Sequence, residues 1–129
     1  MARPPSVSTR PEQTGRRPTA ISRWHRSLPP WVWCCDLDAV EVRSGRGPVA
    51  IIEYAELPHP PTVADARRVA LAKRLQREVL AYLATATGLP AYITVHDPDL
   101  EAFVVLRVGE GLEARAMTEP EYRAFLETL

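Results

Sequence analysis

The sequence predicts a single α/β domain, a mixed central sheet flanked by helices in the order α-β-β-α-β-β-α, on three observations. Two runs dense in β-branched and aromatic residues, WVWCCDLDAVEVR (31–43) and VAIIEYAEL (49–57), flank the short turn Ser44-Gly45-Arg46-Gly47, the pattern of an antiparallel hairpin. A long segment from Val63 to Thr87 has helical periodicity. Two more apolar runs, AYITV (91–95) and AFVVLRV (102–108), follow it. Strands interleaved with a helix imply an α/β layer structure, and 129 residues suffice for one core and not two.

The elements follow in order. Residues 1–18, MARPPSVSTRPEQTGRRP, hold one large apolar residue, Val7, and too little apolar surface to offset ordering. They are expected to be a disordered basic tail, with residues 19–129 forming the domain. Thr19 is placed to cap a short helix over AISRWHRSL that ends before Pro29-Pro30. The hairpin comes next, with Pro48 opening its second strand, and Pro58, Pro60 and Pro61 then break the chain.

Thr62 is the expected N-cap of the long helix and Gly88, ahead of Pro90, its stop. At 100° per residue Leu71, Ala72, Leu75, Val79, Tyr82 and Leu83 share its apolar stripe. Arg68 interrupts the stripe at one end and Gln76 lies on its edge, while Lys73, Arg74 and Arg77 face away. The last two strands flank the turn Asp97-Pro98-Asp99. Thr118 caps a final helix, EPEYRAFLETL, with Glu121 completing a capping box and Pro120 in the first turn.

Composition fits an ordinary globular protein, with 46% apolar and 25% charged residues. No apolar run approaches the roughly 20 residues of a membrane helix, and no hydrophobic stretch follows the N-terminal arginines as in a secretory signal. Cys34 and Cys35 are adjacent, badly placed to bridge each other, and too few for a zinc site. They read as small buried residues, and the expected compartment is a reducing cytoplasm. Residues 1–27 carry six arginines against Glu12, a net charge of +5, and the remainder carries −5. A cationic arm on an acidic body suits a phosphate backbone held near an anionic site; a solvated tail is the alternative. There is no glycine-rich phosphate loop, no dinucleotide fingerprint and no nucleophile–histidine arrangement.

Alternation along a strand puts Asp36, Asp38, Val40 and Val42 on one face, and Val49, Ile51, Glu53 and Ala55 on one face of the next strand. The opposite faces are apolar too, so both sides of the hairpin are expected to be covered. A carboxylate inside VAIIEYAEL is costly to bury without a cation, so Asp36 or Asp38 beside Glu53 calls for a metal or a basic partner. Such hard oxygen ligands suit Mg²⁺ or Mn²⁺; water at the strand ends, or pairing with Arg23, Arg26 or Arg68, would serve instead. Trp24, Trp31 and Trp33 are expected in the core rather than stacked on bases. His96, Asp97 and Asp99 are expected to serve a turn, and His59 has no assigned role.

The stretch from about Ser22 to Val108, centred on CDLDAVEVR…GPVAIIEYAEL, resembles the PD-(D/E)XK, or restriction-endonuclease-like, nuclease superfamily. The resemblance implies that fold. It implies Mg²⁺ or Mn²⁺ bound by Asp38, or Asp36, and Glu53. It also implies a catalytic lysine two residues after the glutamate, and that position is Ala55. Arg68, Gln76 or His25 would then supply the missing group; otherwise metal-activated water acts alone, or the domain binds without cutting. The expected function is a metal-dependent nuclease acting on DNA phosphodiesters. The alternative is a non-catalytic nucleic-acid- or protein-binding module on the same fold, an accessory of a phage or mobile element. The expected partners are DNA and a second copy of the chain or another protein, with no membrane.

Overall fold

A computed structural model describes residues 19–109 and 111–129; the expected tail, residues 1–18, lies outside the described residues. The chain divides between Asp36 and Leu37 into two units, and the division falls inside the first expected strand.

In the first unit, helix α1 (Thr19–Arg26) closes in a turn where Ser27 N donates to Trp24 O at 3.0 Å. Residues 31–38 form no strand, a correction to the sequence expectation. Pro29 and Pro30 lie immediately before them, and a local turn forms instead, in which Val32 N donates to Pro29 O at 3.0 Å. Without a pleated face to pack on, the tryptophans are not core: Trp24, Trp31 and Trp33 are 59%, 65% and 53% exposed. Cys34 and Cys35 form no disulfide among the described residues and are half-buried.

The second unit is a mixed sheet between two helical layers. Its strands are β1 (Ala39–Arg43), β2 (Gly47–Glu56), β3 (Ala91–His96), β4 (Ala102–Arg107) and β5 (Ala114–Thr118), and they lie in that order across the sheet. Only β2 and β3 are parallel, joined by the helical crossover; the other neighbours are antiparallel. The hairpin β1–β2 turns through Gly45 and Gly47, both at positive φ, a conformation that favours glycine. The register shifts between Glu41↔Ala50 and Val42↔Pro48, which leaves Val49 as the extra residue of a bulge next to Pro48, a residue with no N–H to donate.

The crossover holds two helices, α2 (Val63–Ala72) and α3 (Arg74–Thr87), where one was expected. Thr62 caps α2 through a capping box with Asp65, and Gly88 ends α3 in the left-handed conformation, both as the sequence indicates. The break lies at Lys73, whose ψ of 54° leaves the helical region. Arg77 Nε donates to Ala70 O, satisfying a carbonyl at the end of α2. In one continuous helix Ala66 and Gln76 would point about 80° apart. Across the break, Ala66 and Ala70 of α2 and Gln76 and Leu80 of α3 are all buried. The expected stripe is corrected accordingly: Leu71 and Tyr82 are 61% and 73% exposed.

Helices α2 and α3 cover one face of the sheet, over Ile51, Ile93, Val95, Val104 and Leu106. Helix α4 (Glu119–Thr128), capped by the Thr118–Glu121 box, covers the other, over Ile52, Tyr92, Phe103 and Val105. Arg43 Nη2 donates to Leu126 O and Arg46 Nη2 to Leu129 O at 2.7 Å, tying the β1–β2 turn to the end of α4. The sequence reading missed β5, because ARAMT buries only Met117 and shows no clear alternation. Among the described residues no helix is long and apolar enough to cross a membrane.

A candidate carboxylate site beside the second strand

Asp38 lies one residue before the first pair of the β1–β2 ladder, Ala39↔Ile52, so continuing that register sets it opposite Glu53. Its Oδ2 accepts a hydrogen bond from Tyr54 N at 2.9 Å. The carboxylate thus takes a backbone donor of β2, and regular pairing of β1 starts only at Ala39. This bond fixes the Asp38 carboxylate beside the peptide that carries Glu53.

Glu53 follows Ile51 and precedes Ala55 on the pleat face covered by α2 and α3, and it is 5% exposed. Its parallel partner on β3 is Ile93, and Ala55 pairs with Val95. A carboxylate in such company is costly to hold ionised, and a favourable interaction must offset the lost hydration. Gln76 enters the same layer from α3 one turn before Leu80, and it is 2% exposed. Among the described residues its Nε2 has no hydrogen-bond acceptor. The sheet–helix layer therefore holds a buried carboxylate and a buried amide donor among aliphatic side chains.

The other candidates separate. Arg68 is not core-facing as expected: its side chain is 71% exposed and pairs with Asp65 on the outer side of α2. Three residues from Asp65 on the helix surface, it follows the first turn of α2 to solvent rather than the sheet. His25 and Asp36 belong to the first unit, so the second unit's own set is Asp38, Glu53 and Gln76. Ala55 is half-buried and its methyl packs with the apolar cluster under the helices. The chain has a single lysine, Lys73, which forms the helix break.

Behind Glu53, on the opposite face, Tyr54 Oη lies 2.7 Å from Tyr122 Oη, and Tyr122 Oη donates to Thr94 Oγ1 at 3.4 Å. Burial raises the pKa of both phenols; at Tyr54 the charges of Glu41 and Asp38 add to the effect and the hydrogen bond with Tyr122 opposes it. Tyr54 thus holds Asp38 with its amide while its ring is anchored to α4. Sequence reading passed over this role, since the only signal was a tyrosine next to Glu53 in an apolar strand. At the far end of β3, Asp97 serves the turn as expected, its Oδ1 accepting from Glu101 N at 2.9 Å and Ala102 N at 3.2 Å. Burial opposes ionisation of Asp97, but those amides and His96 hold its pKa below the ordinary carboxylate range.

Asp38 and Glu53 offer hard oxygen donors of the kind Mg²⁺ accepts, and Mg²⁺ is commonly held by one or two carboxylates plus water and phosphate oxygens. Among the described residues no group of three or more His, Cys, Asp or Glu side chains gathers for a metal. A cation here would therefore depend on water or a ligand to complete its coordination. The arrangement thus brings two carboxylates to neighbouring strand positions in the layer that also holds a buried amide donor. No family model, no curated protein and no solved structure matches the chain.

Proposed function

We propose that the second unit is a restriction-endonuclease-like domain that binds a divalent cation through Asp38 and Glu53 and acts on DNA phosphodiesters. The observation that carries this reading is the Asp38–Tyr54 bond, which fixes one carboxylate next to the strand position of a second, buried one. The mixed sheet, with the glutamate-bearing strand parallel to the strand after the helical crossover, is consistent with it. When bound, Mg²⁺ or Mn²⁺ would supply charge neutralisation for a phosphate and lower the pKa of water. The chain's own residues orient and exclude: Asp38 is set by the Tyr54 amide, apolar neighbours keep water from Glu53, and Gln76 Nε2 is a donor for an incoming oxygen.

A second reading, a binding module without turnover, is favoured by one observation. Ala55 stands where a general-base or charge-stabilising lysine would act, and the one lysine of the chain is at the helix break. Exposed Trp24, Trp31 and Trp33, in a segment that also carries Arg23 and Arg26, support a nucleic-acid partner under either reading. The test is cleavage of supercoiled and single-stranded DNA with Mn²⁺, wild type against Glu53→Gln, alongside binding of the same DNA by both proteins. Mn²⁺-dependent nicking lost in Glu53→Gln supports the hydrolase. Binding without nicking selects the module, and neither binding nor nicking rejects both readings.

A further inference from the structure

The face of the sheet opposite Glu53 has a concavity that neither reading uses. Helix α4 stacks its Tyr122 on Phe103 but leaves open the ground next to the β3–β4 pair Tyr92↔Arg107 and the β4–β5 pair Val105↔Arg115. Directly opposed residues share a face, so both arginines rise from the floor beside Tyr92. The resulting cavity of about 380 Å³ is lined by Tyr92, Arg107, Glu113, Arg115 and Phe125, among others. Its volume falls within the range of small-ligand sites, roughly 300–1,000 Å³.

The chemistry of the walls is specific. Arg107 stands with its guanidinium carbon 6.0 Å from the Tyr92 ring centre, and Tyr92 meets Phe125 edge-on at 5.1 Å. Neither Arg107 nor Arg115 forms a salt bridge among the described residues, whereas Arg43, Arg68, Arg74 and Arg123 each pair with an acid. Two unpaired guanidiniums at one mouth match a phosphate, which they can bind through paired N–H donors. Aromatic walls suit the flat face of a base. Glu113, the acidic member, is held by its main chain, since Arg107 N donates to Glu113 O at 2.9 Å. Its carboxylate would repel a bare dianion but accept from sugar hydroxyls. Acid, two bases and aromatic rings together select a ligand with phosphate, sugar and ring in one molecule.

We propose that this cavity is a binding site for a nucleoside monophosphate. The phosphate lies between Arg107 and Arg115, the sugar hydroxyls on Glu113, and the base against Phe125. The site is separate from the Asp38–Glu53 carboxylates, which lie toward the opposite helical layer.

The test is calorimetric titration of the full chain with adenosine 5′-monophosphate, adenosine and inorganic phosphate in turn. The nucleotide should bind at least about tenfold more tightly than either fragment, the signature of two linked contacts. Arg115→Ala should weaken nucleotide binding by about tenfold or more, a lost charge-assisted contact. Arg107→Lys, which keeps charge and bulk over Tyr92, should weaken it while leaving the melting temperature near wild type. Glu53→Gln should bind the nucleotide as wild type does, which separates this site from the carboxylate site. Equal affinity for nucleotide and phosphate, no nucleotide binding, or unchanged affinity in Arg115→Ala would each overturn the proposal.

Discussion

Gln76 offers the sharpest stability prediction. Its side chain is 2% exposed, enters the layer shared with Ile93 and Leu80, and leaves Nε2 without an acceptor. A buried donor with no partner costs about 1–3 kcal/mol. Gln76→Met keeps the unbranched shape and comparable side-chain freedom while removing that donor. Imperfect repacking returns up to ~1 kcal/mol in a close-packed interior. The expected net effect is about 1 kcal/mol of added stability, or a melting temperature about 4–8 °C higher for a unit of this size. Urea unfolding followed by circular dichroism should show a higher midpoint at unchanged slope. A loss of ~1 kcal/mol or more would refute the reasoning, because it would mean that the amide makes a bond worth keeping.

Two further outcomes follow from the core and the turn. Leu80→Ala, at a fully buried position under the sheet, should cost about 2–5 kcal/mol in the same unfolding assay; a loss below ~1 kcal/mol would mean that α3 does not hold the core together. The lowered pKa of Asp97 means that its contribution is present above the ordinary carboxylate pKa of about 4 and is lost as pH falls through its folded value. Wild-type stability should therefore fall on acidification below about pH 4, and Asp97→Asn should be less stable at neutral pH with a shallower acid slope. Parallel acid slopes in the two proteins would contradict that assignment.

The helix caps and most strands were legible because they depend on local chemistry. Thr62 with Asp65, Thr118 with Glu121, and Gly88 at a left-handed C-cap need only neighbours within one helical turn. The helix break at Lys73 was not legible: no proline or glycine marks it, and only the sheet beneath requires Gln76 and Leu80 to be buried along with Ala66 and Ala70. The strand expected over 31–43 forms only from Ala39 onward, for a related reason. β-Rich composition marks residues able to pair, but Asp38 takes the Tyr54 amide with its side chain, and pairing starts at Ala39. Of the site, the proximity of Asp38 to the Glu53 strand followed from the hairpin register alone. The role of the Tyr54 amide, and the exposure of Arg68, required three dimensions.

The most direct test of the account is calorimetric titration of Mn²⁺ into the purified chain, with Asp38→Asn as the control. The account predicts saturable binding in the wild type that is lost in Asp38→Asn while the variant's circular dichroism stays native. Absence of binding in the wild type, or equal binding in Asp38→Asn, would contradict the claim that these two carboxylates form a cation site.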